Sequence, residues 1–334
     1  MTIARFLTLV ALLLVPGMTA LTANSKSPSG LLLVANKGEH TLGLIDPSTE
    51  RQIAIIPEGG VTGHEVAVSP DGGRAFVPIY GNSGVGLPGS NGRKIDVIDL
   101  DRRRVARTID FSRGVRPHCA VFGPKDGLLY VTTELDKSVA VIDPKTLKII
   151  GNVPTGQPES HMLAISPDGR RGYTANVGPG TVSVLDLAAR KTLTVIPVAP
   201  HVQRISVSPD GRWVFTSDTT KPRLAVINAA AGKVDRWLAL PGTGYGTAST
   251  PDGKYLLVAL PDANRVAVVD LPNLRVVQTI SLPAAPQEVL IRPDGKVAYV
   301  SCDRSHQVAA IQIGDWSVKL IGAGKGVDGL AWAK

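Results

Sequence analysis

The sequence predicts an all-β protein, a seven-bladed β-propeller of four-stranded blades, on three observations. One turn phrase recurs at a fixed period. Each period contains four short β-rich runs, and the two chain ends supply complementary parts of a single blade. The phrase occurs as Ser69-Pro-Asp-Gly, Pro124-Lys-Asp-Gly, Ser166-Pro-Asp-Gly, Ser208-Pro-Asp-Gly, Thr250-Pro-Asp-Gly and Arg292-Pro-Asp-Gly, with spacings of 55, 42, 42, 42 and 42 residues.

Within a unit, a first apolar run precedes the phrase (Val66 to Val68, Leu163 to Ile165) and a second follows it (Ala75 to Val77, Tyr173 to Ala175). A third ends in Asp or its substitute, as in Ile95 to Asp99, Val139 to Asp143, Val182 to Asp186, Leu224 to Asn228 and Val266 to Asp270. A fourth is typified by Val105 to Ile109 and Val276 to Ile280. Runs this short, β-branched and bounded by turn residues are antiparallel strands. The phrase itself is the turn between strands one and two. Pro presets φ there and Gly supplies a positive φ, so the six aspartates are turn residues rather than catalytic carboxylates.

Six blades carry the phrase. Leu31 to Pro57 supplies strands two to four of a seventh, and Val327 to Ala333 supplies a first strand with no blade after it. The ring therefore closes by pairing the C-terminal strand with the N-terminal blade, which leaves no end blade with an exposed edge.

Composition agrees with this. There are 35 Gly and 25 Pro, too regularly spaced for long helices or coiled coils, and the 43% hydrophobic share excludes disorder. Arg5, the apolar run from Phe6 to Val15 and the small residues up to Ala23 form a secretory signal peptide, assigned to residues 1–23. The run is too short to span a bilayer, so a periplasmic or secreted protein without a membrane span is expected. Residues 24–334 form one propeller domain of 311 residues, close to the 307 that seven blades and one 13-residue insertion require. The formal charge of +8 is thinly spread, and Arg102 to Arg104 has no interleaved aromatic, so no nucleic-acid partner is expected. A monomer is expected. Cys119 falls in an innermost strand and Cys302 in a second strand three blades away, too far apart for a disulfide.

Leu33-Val-Ala-Asn36, Tyr130-Val-Thr-Thr133 and Tyr173-Thr-Ala-Asn176 resemble the YVTN-repeat (YncE-like) propellers over essentially the whole mature chain. That resemblance implies an exported or surface propeller and leaves the activity open.

All six histidines map to the face carrying the links between strands two and three and between blades, called here the top. His64, His118 and His161 share one register at the start of three consecutive innermost strands. Gln203, Tyr245 and Gln287 continue that register, predicting a polar, mostly uncharged channel mouth. The next position reads Glu65, Cys119, Met162, Arg204, Gly246 and Glu288, and the pleat leaves open which set faces the axis. Three imidazoles with Glu65 or Glu134 nearby would suit Zn or Cu. The 55-residue spacing places the 13-residue insertion, residues 80–92, on the same face, where Tyr80, Asn82, Ser83, Gly84, Gly86 and Gly89 form a rim loop over the histidines. Its G-x-G-x-x-G match is rejected as a dinucleotide site because a strand, not a helix, follows.

The function expected is binding of a small ligand, metal ion or protein partner at this mouth, through His64, His118, His161 and Glu65. A second reading is a lactonase-like hydrolase. Arg116-Pro-His118-Cys-Ala-Val-Phe is similar to the Pro-His strand start of lactonase-type propellers, with His118 or His161 as base, Glu134 or Glu159 as carboxylate and Arg116 or Arg204 stabilising an oxyanion. Thr133-Glu-Leu-Asp-Lys137 does not match that family's fuller motif. A third reading is an interaction scaffold without a small-molecule site.

Overall fold

Seven four-stranded antiparallel sheets follow one another around the ring in the computed structural model, which describes residues 30–334. The signal peptide assigned to residues 1–23 lies outside the described residues. Blade 1 closes the ring as expected. Its innermost strand is Val327–Ala333, followed outward by Leu31–Asn36, Thr41–Asp46 and Arg51–Pro57, with Leu33 opposite Ala331. The innermost strands of blades 2 to 7 are Ala67–Val68, Pro117–Phe122, Ser160–Ile165, Val202–Val207, Thr247–Ser249 and Pro286–Ile291.

Second and third strands are covered on both faces by neighbouring blades. Leu31–Asn36 and Tyr255–Leu260 therefore read as nearly unbroken apolar runs and are buried almost throughout. The outermost strand Arg104–Asp110 faces solvent and buries only Ile109. The cores lie between blades. One cluster joins Tyr130 and Val139 of blade 3, Leu163 and Tyr173 of blade 4, and Val214 of blade 5.

The repeated phrase forms the turns predicted for it. Gly72, Gly169, Gly211, Gly253 and Gly295 have φ of +76°, +73°, +72°, +71° and +71°, a region costly for any residue with a Cβ. Asp168 Oδ1 accepts hydrogen bonds from Ser166 Oγ (2.6 Å) and Arg170 N (3.0 Å), so the aspartate holds its own turn. Cys119 and Cys302 are both buried and free, as the register requires.

Candidate functional site

Strand pairing sets the channel mouth. Ser160 faces Asn176 in blade 4 and Val327 faces Asn36 in blade 1, so Asp328 of the closing strand is the counterpart of His161. The complete ring is His64, His118, His161, Gln203, Tyr245, Gln287 and Asp328. Gln287 turns away, donating from Nε2 to Asp303 Oδ2 at 3.0 Å. The others line a cavity of about 180 Å³, together with Lys37, Met162, Arg204 and the loop residues Tyr80, Ser83, Gly84 and Val85.

The three histidines converge as predicted. The His118 and His161 rings lie 3.6 Å apart with planes 33° from parallel, and His64 meets His118 edge-on at 5.3 Å. Tyr80 packs on all three, with ring centroids 5.2, 5.2 and 5.9 Å from His64, His118 and His161. Burial lowers the pKa of each. His161 falls to about 3, and His118 drops well below the usual range, its neighbours His161 and His64 adding to the effect of burial. All three are neutral imidazoles at pH 7, the form that coordinates metals or accepts a hydrogen bond. His118 Nδ1, His161 Nδ1 and Ser83 Oγ are buried without a hydrogen-bond partner. His40, His201 and His306 are exposed in top-face links and take no part.

The expected uncharged mouth is corrected by the next position along the strands, which also reaches the channel. Arg204, buried, meets Asp328 Oδ1 at 2.7 Å, Glu65 Oε1 at 2.9 Å and Glu288 Oε2 at 3.3 Å, closing the channel beneath the cavity. The Glu65 contact is an ion pair without hydrogen-bond alignment. Burial raises the carboxyls of both Glu65 and Glu288, and the neighbouring charge of Asp328 pushes each the same way. Burial opposes ionisation of Asp328 too, yet Arg204 and Lys37 hold its carboxyl below the usual value. Gly246 and Gly329 make this crossing possible. A Cβ on Gly246 would collide with the Gln287 carbonyl, and one on Gly329 would sit 2.5 Å from the His64 carbonyl. Glu65, expected beside the imidazoles as a ligand, is therefore held by Arg204 and does not line the cavity. Met162 and Asp328 do.

Arg116 and Glu134, expected to be catalytic in the hydrolase reading, instead fasten the loop. Glu134 accepts from the Tyr80 hydroxyl, from Gly86 N (3.1 Å) and from Arg116 Nη1 (3.1 Å). Arg116 also donates to Asn91 Oδ1 and to the Leu87 carbonyl, both at 2.8 Å. Asn82 and Ser90 bond reciprocally at the neck of the loop. Glu159 accepts from Gly178 N at 2.7 Å and lies against Gly86, whose φ is +68°. The rim loop is thus a packed lid, and the Gly86 amide serves Glu134 rather than a ligand.

Among the described residues, no three His, Cys, Asp or Glu side chains stand as a metal-holding group. The near-parallel His118 and His161 rings explain this, since their lone pairs run side by side rather than to a point shared with His64. Sequence reasoning missed Asp328 and Lys37 as lining residues, and left Met162 and Arg204 open because the pleat allows either facing. Asp328 could have been found by carrying the histidine register into the closing strand, whereas nothing local marks Lys37.

Fold and site together define a seven-bladed β-propeller with a lidded cavity at its channel mouth. The family described as Lactonase, 7-bladed beta-propeller matches residues 85–218, less than half of the chain. The seven-bladed beta-propeller protein Rv1057 of Mycobacterium tuberculosis is 31% identical over 135 residues, which cover 40% of this chain and 31% of that protein. The match thus spans about a third of the relative's length. Kuenenia stuttgartiensis hydrazine synthase superposes with a TM-score of 0.72 at 22% identity, covering 85% of this chain and 92% of that one. Dihydro-heme d1 dehydrogenase NirN, solved in complex with DHE, gives 0.65 at 15% identity, covering 90% and 74%. A functionally unknown protein from Desulfotomaculum acetoxidans gives 0.74 at 13% identity, covering 91% and 99%. At these identities the solved structures speak for the fold alone.

Proposed function

We propose that the protein is an exported propeller of the YVTN-repeat kind that binds a small ligand, an ion or a molecule of few heavy atoms, in the lidded cavity at its channel mouth. The observation that carries this is the set of buried polar atoms without partners on the cavity-lining residues His118, His161 and Ser83. Burying a polar group unpaired costs about 1–3 kcal/mol, a cost that an occupant able to bond it would remove. Size narrows the occupant, because about 180 Å³ lies below the roughly 300–1,000 Å³ of pockets for drug-sized molecules.

The test is thermal unfolding against a panel of cuprous, zinc and other metal ions, small anions and small neutral molecules, on the wild type and a His118→Ala/His161→Ala variant. At least one member at 100 times its Kd should stabilise the wild type by about 2.7 kcal/mol and leave the variant unmoved. A panel that shifts both proteins equally, or neither, would overturn the reading.

The match to the lactonase family over residues 85–218 favours hydrolysis as a second reading. Since Arg116 and Glu134 are engaged by the lid, such a reaction would rely on His118 or His161 as base after lid opening. Lactone hydrolysis by the wild type that disappears in His118→Ala would favour it over binding.

A further inference from the structure

We propose that the occupant of this cavity is a small uncharged polyol, a molecule with hydroxyls on adjacent carbons, held by His118, His161, Ser83 and Arg204. The proposal rests on the small-ligand reading and names the class of its ligand.

Charge excludes an ionic occupant. The lining carries both signs, already paired. Arg204 holds Asp328 at 2.7 Å and Glu65 at 2.9 Å, while Lys37 Nζ lies 3.3 Å from Asp328 Oδ2 and 3.8 Å from Asp303 Oδ2. An anion in the cavity would meet Asp328, and a cation would meet Arg204 and Lys37. Either would also bear the desolvation cost of a buried ion. Burial disfavours the charged form of His64, His118 and His161, so the imidazoles offer an anion no counter-charge. An uncharged molecule meets none of these penalties.

The unpartnered atoms select its polar groups. They are His118 Nδ1, His161 Nδ1, Ser83 Oγ and Arg204 Nε, all on cavity-lining side chains more than nine-tenths buried. Arg204 Nε only donates, Ser83 Oγ donates and accepts, and each imidazole Nδ1 does one or the other according to its tautomer. The occupant must therefore accept at one point and take either role at the others. A hydroxyl does both from a single atom, whereas a carbonyl only accepts and an ammonium only donates.

Stacking sets the spacing. The His118 and His161 rings, 3.6 Å apart and 33° from parallel, present their nitrogens side by side, which suits two neighbouring atoms rather than one. Hydroxyls on adjacent carbons are such a pair. Ser83 from the lid and Arg204 from the axis remain for further hydroxyls, and the Tyr80 ring and Val85 give the carbon skeleton apolar surface. A space of about 180 Å³ limits that skeleton to a few carbons.

The experiment is a ligand-observed NMR titration of the mature protein with erythritol and 1,2-propanediol, against 1,3-propanediol, acetamide, acetate and ammonium. Saturable binding is the readout, because polyols stabilise proteins generally through exclusion from their surfaces. Erythritol and 1,2-propanediol should each saturate one site, with 1,2-propanediol at least tenfold tighter than its 1,3 isomer. Ser83→Ala should keep the thermal midpoint and weaken erythritol about threefold or more, while the His118→Ala/His161→Ala variant should lose saturable binding. Equal affinity for the two propanediols, or erythritol binding unchanged in both variants, would overturn the proposal. If the diols do not bind but acetamide, acetate or ammonium saturates a site that needs His118 and His161, the polyol assignment falls and the small-ligand reading stands. If neither these probes nor the wider panel binds, both fall.

Discussion

Arg204 Nη2 meets Asp328 Oδ1 at 2.7 Å, joining the innermost strand of blade 5 to the closing strand of blade 1 across 124 residues of sequence. The guanidinium also faces Glu65 of blade 2 and Glu288 of blade 7, so one cation ties four blades at the axis. Removing one partner of a buried ion cluster leaves uncompensated charge and costs about 3–5 kcal/mol. Arg204→Met should lose that much at pH 7.5. Without the cation the three carboxyls would have raised folded-state pKa values, so their contribution holds at low pH and is lost as pH rises. The deficit should therefore shrink at pH 4.5, and urea unfolding at the two pH values checks it. An equal deficit at both would contradict the role assigned to Arg204.

Glu134 is the point where Tyr80, Gly86 and Arg116 meet, so it should control the lid more than the ring. Glu134→Gln removes the charge that Arg116 pairs with and should release residues 82–90 while the blades stay folded. Hydrogen exchange is the measurement. Gly86 and its neighbours should exchange at least tenfold faster, with little change in the inner strands, and uniform exchange across the variant would argue against a latch.

The imidazoles make the protein acid-sensitive in a defined window. His161 titrates near 3 when folded, for reasons of burial, and near 6.5 when unfolded. Between those values the unfolded chain binds the extra proton, so stability falls as pH drops below about 6.5. The groups around it are His64 and Arg204, which lower its pKa, and Asp328, which raises it. Glu58, raised by burial to about 7, has the opposite sign and loses stability as pH rises from about 4.5 to 7. The comparison must therefore be a difference. His161→Gln should gain on the wild type by a few kcal/mol between pH 7 and pH 4, measured by denaturant unfolding. Parallel profiles would show that His161 is not the acid-sensitive group.

Ring closure depends on eight residues. A chain ending at Gly326 lacks the strand that covers Leu33 and Val34, and with it Asp328. It should lose cooperative thermal unfolding, and a sharp transition at the wild-type midpoint would sink this expectation. Thiol titration should find two reactive thiols after denaturation and almost none before, because Cys119 and Cys302 are buried and free.

The blade count, the closure and the turn role of the aspartates were legible because each rests on chemistry local to a strand or a turn. Asp168 bonds within its own turn, and Gly169 needs only its own φ. The histidine convergence was legible as well, since a shared register on adjacent inner strands fixes proximity once the period is known. The role of Glu65 was not. Its side chain answers to Arg204, more than a hundred residues away, and the pleat alone allows it to face either way. Arg116 and Glu134 have the residue types of an active site, and only the folded insertion turns them into a latch.

By itself the sequence determined a ring of seven blades, a top face gathering the histidines and an insertion beside them. Turn stereochemistry and a 42-residue period act over distances the chain spells out locally. Only the tertiary structure decided which side chains remain free at the mouth. Charged groups from different blades pair first with whatever closure brings within reach, leaving His118, His161 and Ser83 with unpartnered polar atoms around a small buried space.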